Sequence, residues 1–205
     1  RAAGGEFVEG RSFMQELMTN PEATGWQVRK VVTFGNKFYA CGSLINEPGM
    51  VFLPSKEPQA TFHFVRLELQ APKEDGEMLD MHVWAADRAI VAGISQSEHK
   101  PLVYVGKGDL YKRESWTRVD FSAQGIAYRA GIRAISVSGE TVVAVGDKVP
   151  TSQGGFILKS DDGGKTWKDI TPSKKIGHLS DVWLFENGDM VAAGGGGEMW
   201  IYEKK

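Results

Sequence analysis

The sequence has one cysteine, four histidines and no long apolar run, and each shortage closes a route. Cys41 has no second thiol to pair with inside the chain, so no disulfide framework staples the fold and the redox compartment stays open. Its neighbours, Phe38-Tyr39-Ala40-Cys41-Gly42, read as a buried strand, with no histidine in a nucleophile pattern beside it. His63, His82, His99 and His178 lack the paired spacing of a metal site. Asp161 and Asp162 lack the downstream carboxylates of a calcium loop. Gly194-Gly195-Gly196-Gly197 has no Lys-Ser/Thr after it, so it is a close backbone approach or a mobile loop, not a phosphate cradle. No apolar stretch reaches the roughly 18 residues of a membrane-spanning helix. A net charge of −2 supplies no basic field for nucleic acid or an anionic membrane. The expectations are no cofactor, no metal, no nucleic-acid partner and no membrane insertion.

Glycine, by contrast, is plentiful: 25 residues in 205, which fits many short turns. Four of these glycines end a repeated strand pattern. The copies are Phe38 to Gly42, Ala89-Ile90-Val91-Ala92-Gly93, Val142-Val143-Ala144-Val145-Gly146 and Met190-Val191-Ala192-Ala193-Gly194, spaced about fifty residues apart. A turn precedes each copy, at Gly35-Asn36, Ala86-Asp87, Gly139-Glu140 and Asn187-Gly188-Asp189. Another apolar strand precedes each turn. A period near fifty built from short strands is that of a β-propeller blade.

The most informative stretch is Ser160-Asp161-Asp162-Gly163-Gly164-Lys165-Thr166-Trp167. Asp-Asp-Gly-Gly is a turn signal between two strand-like runs, so the octet is a hairpin corner. Ser160 and Asp162 are placed to hold the turn's amides, with Gly164 in the turn, and Thr166 suits the outgoing strand. Trp167 is large enough to bury beneath the hairpin and pin it. A degraded copy in the same register runs over Ser55, Glu57, Thr61 and Phe62. The second repeat replaces the corner with a longer one, Gly108-Asp109-Leu110-Tyr111, before Ser115-Trp116-Thr117.

The S-x-D-x-G-x-T-W spacing resembles the Asp-box, or BNR repeat, of sialidases and of photosystem II assembly factors of the BNR type. The resemblance covers roughly residues 26–205 at repeat level. It implies an all-β propeller of about four blades of four antiparallel strands. In that family the box is a structural corner between the third and fourth strands, away from any catalytic centre. The fourth repeat here stops after Met199-Trp200-Ile201-Tyr202 and lacks an outer strand. Gly25-Trp26-Gln27-Val28 ends like the outer strands and is expected to complete that blade, closing the ring within one chain. Residues 25–205 then form one propeller domain, preceded by an extension over 1–24. In that extension Ser12 and Gln15 look like a capping box for a short helix; an extended tail is the alternative. The expected state is a monomer. If the ends do not meet, two chains pairing edge to edge into an eight-bladed ring is the alternative.

Propeller ligands usually bind where the loops between strands two and three meet the connections between blades. Here those are 44–49, 95–100, 147–155 and 194–197, with connections 70–77, 122–131 and 171–178. They carry the candidate binding residues Glu47, Glu98, His99, Tyr128, Arg129, Asp147, Lys148, Lys174, Lys175 and His178. Sialidase chemistry would need an arginine cluster, a Tyr–Glu nucleophile pair and an acid/base Asp; Tyr128-Arg129 is the nearest approach, and the family's early Arg-Ile-Pro type motif is absent. The expected function is therefore a non-catalytic module binding a protein, peptide or glycan. The alternative is a glycan-binding or glycan-processing propeller. Family resemblance and the Arg1 start, explained by a cleaved leader or by an expression boundary, favour a secreted or periplasmic setting.

Overall fold

The computed structural model describes residues 26–44, 49–54, 62–67, 76–95, 99–126, 129–148 and 154–204. The expected helix in 1–24 lies outside them. The described chain is all-β, with helix confined to three-residue 3-10 turns. Fifteen strands form four antiparallel sheets. The first holds β1 (Trp26–Phe34), β2 (Lys37–Leu44), β3 (Gly49–Pro54) and β4 (Phe62–Arg66). The second holds β5 (Gly76–Ala85), β6 (Arg88–Ser95), β7 (Pro101–Lys107) and β8 (Trp116–Arg118). The third holds β9 (Ala130–Ser138), β10 (Thr141–Lys148), β11 (Gly155–Ser160) and β12 (Lys168–Asp169). The fourth has three strands: β13 (Leu179–Leu184), β14 (Met190–Gly194) and β15 (Met199–Tyr202). The four repeated patterns are β2, β6, β10 and β14, each second in its sheet.

The expected closure does not occur. Trp26, Gln27 and Val28 pair with Leu44, Ser43 and Gly42, as the beginning of β1 itself. A bulge between Val28 and Lys30 lets one nine-residue strand keep a single partner, so the chain never switches to the fourth sheet.

Three apolar layers join consecutive sheets, and the strand pleat decides which residues enter each layer. Tyr39 and Cys41 of the first sheet pack with Met78, Met81 and Ala89 of the second. Ile90 and Ala92, on the second sheet's other face, pack with Ile132, Ile135 and Val142 of the third. Val143 and Val145, on the third sheet's other face, pack with Leu179, Val182 and Met190 of the fourth. The second strands β6 and β10 therefore send alternate residues forward to the next sheet and back to the previous one. Full burial of an aliphatic or aromatic side chain contributes about 1.5–3 kcal/mol, and Leu53, Met78, Ile90, Leu102, Ile132 and Phe156 are all fully buried.

The repeated glycine has a steric cause. A Cβ at Gly42, Gly93, Gly146 or Gly194 would sit 1.8–1.9 Å from the carbonyl oxygen of Gln27, Glu77, Gly131 or His178, on the neighbouring first strand or, for His178, just before it. Each first strand also shows a register shift beside this contact, at Val28/Lys30, Met78/Asp80, opposite Val145/Gly146 and at Leu179/Asp181. The extra residue is Arg29, Leu79, Arg133 or Ser180. A close backbone approach opposite a bulge thus recurs in every repeat.

Candidate functional site

Strand direction gives the sheets two ends. One carries the hairpin turns and the Ser160–Trp167 corner; the other carries the loops after the repeated glycines.

At the corner end, the octet folds around one carboxylate. Asp162 Oδ1 accepts from the amides of Lys165 (3.0 Å) and Thr166 (2.9 Å) and from the Ser160 hydroxyl (2.8 Å). Asp162 Oδ2 accepts from the Thr166 hydroxyl at 2.6 Å. Ser160 Oγ in turn accepts from the Gly164 amide at 2.9 Å. Gly163 and Gly164 both take positive φ, at 72° and 90°, which a side chain would strain. Partial burial opposes ionisation of Asp162, but the bonds from Thr166, Ser160 and Lys165 outweigh it and hold its pKa at about 2. The buried Trp167 donates its indole N–H to Gly164 O at 2.8 Å, and its ring lies 5.9 Å from Phe121. Both carboxylate oxygens of Asp162 and the Ser160 hydroxyl thus serve the turn. Ser55, Glu57 and Thr61 of the degraded copy lie outside the described residues; Phe62 opens β4, opposite Pro54.

The connection at 122–131 departs from its expected place at the loop end. Gln124 accepts from the Trp167 amide at 2.6 Å and donates to Lys165 O at 3.3 Å, so its first part clamps the Ser160–Trp167 corner. The 3-10 turn Ser122–Gln124, closed by Gly125 at φ 78°, makes this reach.

At the loop end, the bulges aim two arginines. Arg133 makes a two-pronged pair with Asp147, Nε to Oδ1 at 3.0 Å and Nη2 to Oδ2 at 3.1 Å. Asp147 is buried while the Arg133 side chain is 45% exposed, so the carboxylate is satisfied from within and the guanidinium faces outward. The bonds to Asp147 raise the Arg133 pKa, and the nearby Glu77 charge adds to this. The Arg29 guanidinium forms an ion pair with Glu77 between the first and second sheets. Deeper in, Lys30 Nζ lies 3.3 Å from Asp80. Asp80 also accepts from Met81 N at 2.9 Å and from Ile135 N at 2.8 Å, tying β5 to β9. Burial raises the Asp80 pKa, against the lowering effect of Ile135 and Lys30. Burial likewise pushes the Cys41 thiol far up, which fits a structural residue rather than a nucleophile.

A second group forms at the fourth sheet. Glu198 accepts from Gly177 N at 2.7 Å and from Trp200 Nε1 at 3.3 Å, and the Lys174 ammonium sits 5.8 Å from the Trp200 ring centre. These bonds, that from Gly177 first, lower the Glu198 pKa, with Lys174 and His178 contributing charge. A Cβ at Gly195 would fall 1.8 Å from the His178 ring, so the tetraglycine brings backbone against this histidine.

Of the ten candidate binding residues, the structure brings Lys174 and His178 together and pairs Asp147 with Arg133. His99 is held in a positive-φ turn (52°), and its carbonyl accepts from Ala130 N at 2.8 Å, so its backbone links β6–β7 to β9. Lys148 N donates to Gly154 O at 3.0 Å, closing the base of its loop. Arg129 and Lys175 are exposed, and Glu47, Glu98 and Tyr128 lie outside the described residues. Sequence reasoning missed Arg29, Glu77, Arg133, Glu198 and Trp200. Aligning the first strands as well as the second ones would have shown Arg29 and Arg133 at one repeat position. Among the described residues, no three His, Cys, Asp or Glu side chains converge into a metal-binding set.

No family model matches the sequence, and no curated protein matches it. Among solved structures the chain is similar to one described as YCF48 bound to D1 peptide, with TM-score 0.53 and 18% identity. The match covers 87% of this chain and 49% of that one, so this chain spans about half the neighbour's length. The likeness establishes the architecture: these consecutive antiparallel sheets form a propeller-like fold.

Proposed function

We propose that this chain is a non-catalytic Asp-box scaffold that binds an acidic peptide segment of a protein partner at its loop end. The observation that carries this is the Arg133–Asp147 pair: a buried carboxylate locks the guanidinium while two of its five N–H donors are spent, leaving donors for a partner carboxylate. Arg29, at the same repeat position, lies in the same row of first strands. The fold neighbour was solved with a peptide bound, which favours a peptide over a small molecule. The Asp-box carboxylate is committed to its own turn and leaves no role for itself in chemistry.

Panning a random-peptide display library on the protein tests this, with a fluorogenic sialoside assay and a glycan array in parallel. The reading expects acidic peptides that lose roughly tenfold or more in affinity for Arg133→Ala. Sialoside turnover, glycan-array binding without peptide binding, or no enrichment at all would overturn it.

A further inference from the structure

The three layers inside the molecule follow one register, and both ends of the stack break off in mid-pattern. At the back of the first sheet, Val28, Val31 and Phe38 occupy the positions filled in the later sheets by buried residues such as Met78, Met81 and Ala89. Yet Val28 is 40% exposed, Val31 57% and Phe38 60%. At the front of the fourth sheet, Met199 stands opposite Ala193, where the earlier sheets place Val51, Val103 and Ile157, all buried. Met199 is 66% exposed, Ile201 65% and Trp183 64%. Isolated apolar residues at a surface are unremarkable; two whole packing faces with matching register are not.

A polar clip breaks off in the same way. Asp80 follows the bulge in β5, holds the next amide, Met81 N, with Oδ1, and reaches Ile135 N of the following sheet with Oδ2. Asp181 follows the equivalent bulge in β13 and holds Val182 N with Oδ1 at 2.9 Å. Ile135 stands opposite Ala144, and its counterpart in the first sheet, opposite Ala40, is Val31. The first sheet thus offers the backbone amide that the Asp181 clip would take.

We propose that a second copy of this chain covers these faces. The front of the fourth sheet in one copy packs on the back of the first sheet in the other, and the reverse, giving a two-fold ring of eight sheets. The occupant follows from complementarity: a sheet packed there must present apolar residues at three first-sheet positions and an amide to Asp181, and this chain's own first sheet does both. This pairing joins sheet faces and does not depend on the peptide reading.

Multi-angle light scattering on the full chain tests it. Wild type should have twice the mass of one chain. Phe38→Glu and Ile201→Glu, each checked by circular dichroism for an unchanged β spectrum, should be monomers. Mixing those two variants should restore a heterodimer, because one of the ring's two interfaces joins an intact fourth sheet to an intact first. Asp181→Ala should weaken the wild-type dimer roughly tenfold. A wild-type monomer at every concentration, or dimers that survive Phe38→Glu, would overturn the proposal; the first result would assign the faces to further sheets of a longer polypeptide, the second to a fourth-sheet-on-fourth-sheet contact.

Discussion

The outer corners of the second and third sheets reach one result by different means. Both end with a buried tryptophan whose indole N–H grips the corner's backbone: Trp116 donates to Leu110 O at 2.9 Å, Trp167 to Gly164 O at 2.8 Å. In the third sheet the corner is tied by polar bonds to Asp162. In the second it is longer, turns through the 3-10 segment Arg113–Ser115, and is anchored by the apolar Leu110, 2% exposed. There the Asp109 carboxylate accepts from Tyr111 N at 3.2 Å in an exposed bond. The tryptophan clasp is thus the common element, and the carboxylate knot is one of two ways to present a carbonyl to it.

Removing the clasp should do the most damage in both sheets. Trp167→Ala and Trp116→Ala should each cost about 3–5 kcal/mol in urea unfolding. If one costs far less than the other, the corners are not equivalent. Next comes Leu110→Ala, expected to cost about 2–5 kcal/mol as a buried aliphatic truncation. Asp162→Ala should cost about 1–3 kcal/mol by stranding the turn's donors, and Asp109→Ala, whose bond to Tyr111 N is exposed, should cost less. Equal losses for the two aspartates would show that the box carboxylate has no special structural weight. Smallest is Gln124→Ala, about 0.5–1.5 kcal/mol; amide exchange at Trp167 should rise in that variant while exchange at Trp116 stays unchanged.

Much of this contrast is legible in the sequence, since Asp-Asp-Gly-Gly with a following tryptophan specifies both turn and clasp locally. The repeated strand ends are legible for a similar reason: at Gly42, Gly93, Gly146 and Gly194 a carbonyl excludes any Cβ, so residue type and geometry are locked together. What failed was pairing. Trp26 looks like the end of an outer strand, but an aromatic at a strand terminus does not say which neighbour it meets, and the bulge that keeps β1 on β2 leaves no signature of its own. The equivalent bulge in β9 hid Arg133, because one extra residue breaks the alternation by which inward and outward positions are read. Glu198 and Trp200 meet Lys174 and His178 only through the sheet, across twenty or more residues of sequence.

Titration separates the corners further. Asp162 has a lowered folded-state pKa, so its contribution to stability is full above the unfolded value, about 4, and is lost as pH falls toward about 2. Asp80 has the opposite sign. Its raised pKa makes the folded state bind its proton more readily, so its contribution is full below the unfolded value and is lost as pH rises through the raised one. Leu110 has no such dependence. The most direct measurement is therefore the difference in unfolding free energy between wild type and Asp162→Ala, followed from pH 6 to pH 2 with Leu110→Ala alongside. The account predicts that the Asp162→Ala gap is constant above about pH 4 and shrinks toward pH 2, while the Leu110→Ala gap does not move. An Asp162→Ala gap that stays the same across the whole range would contradict it.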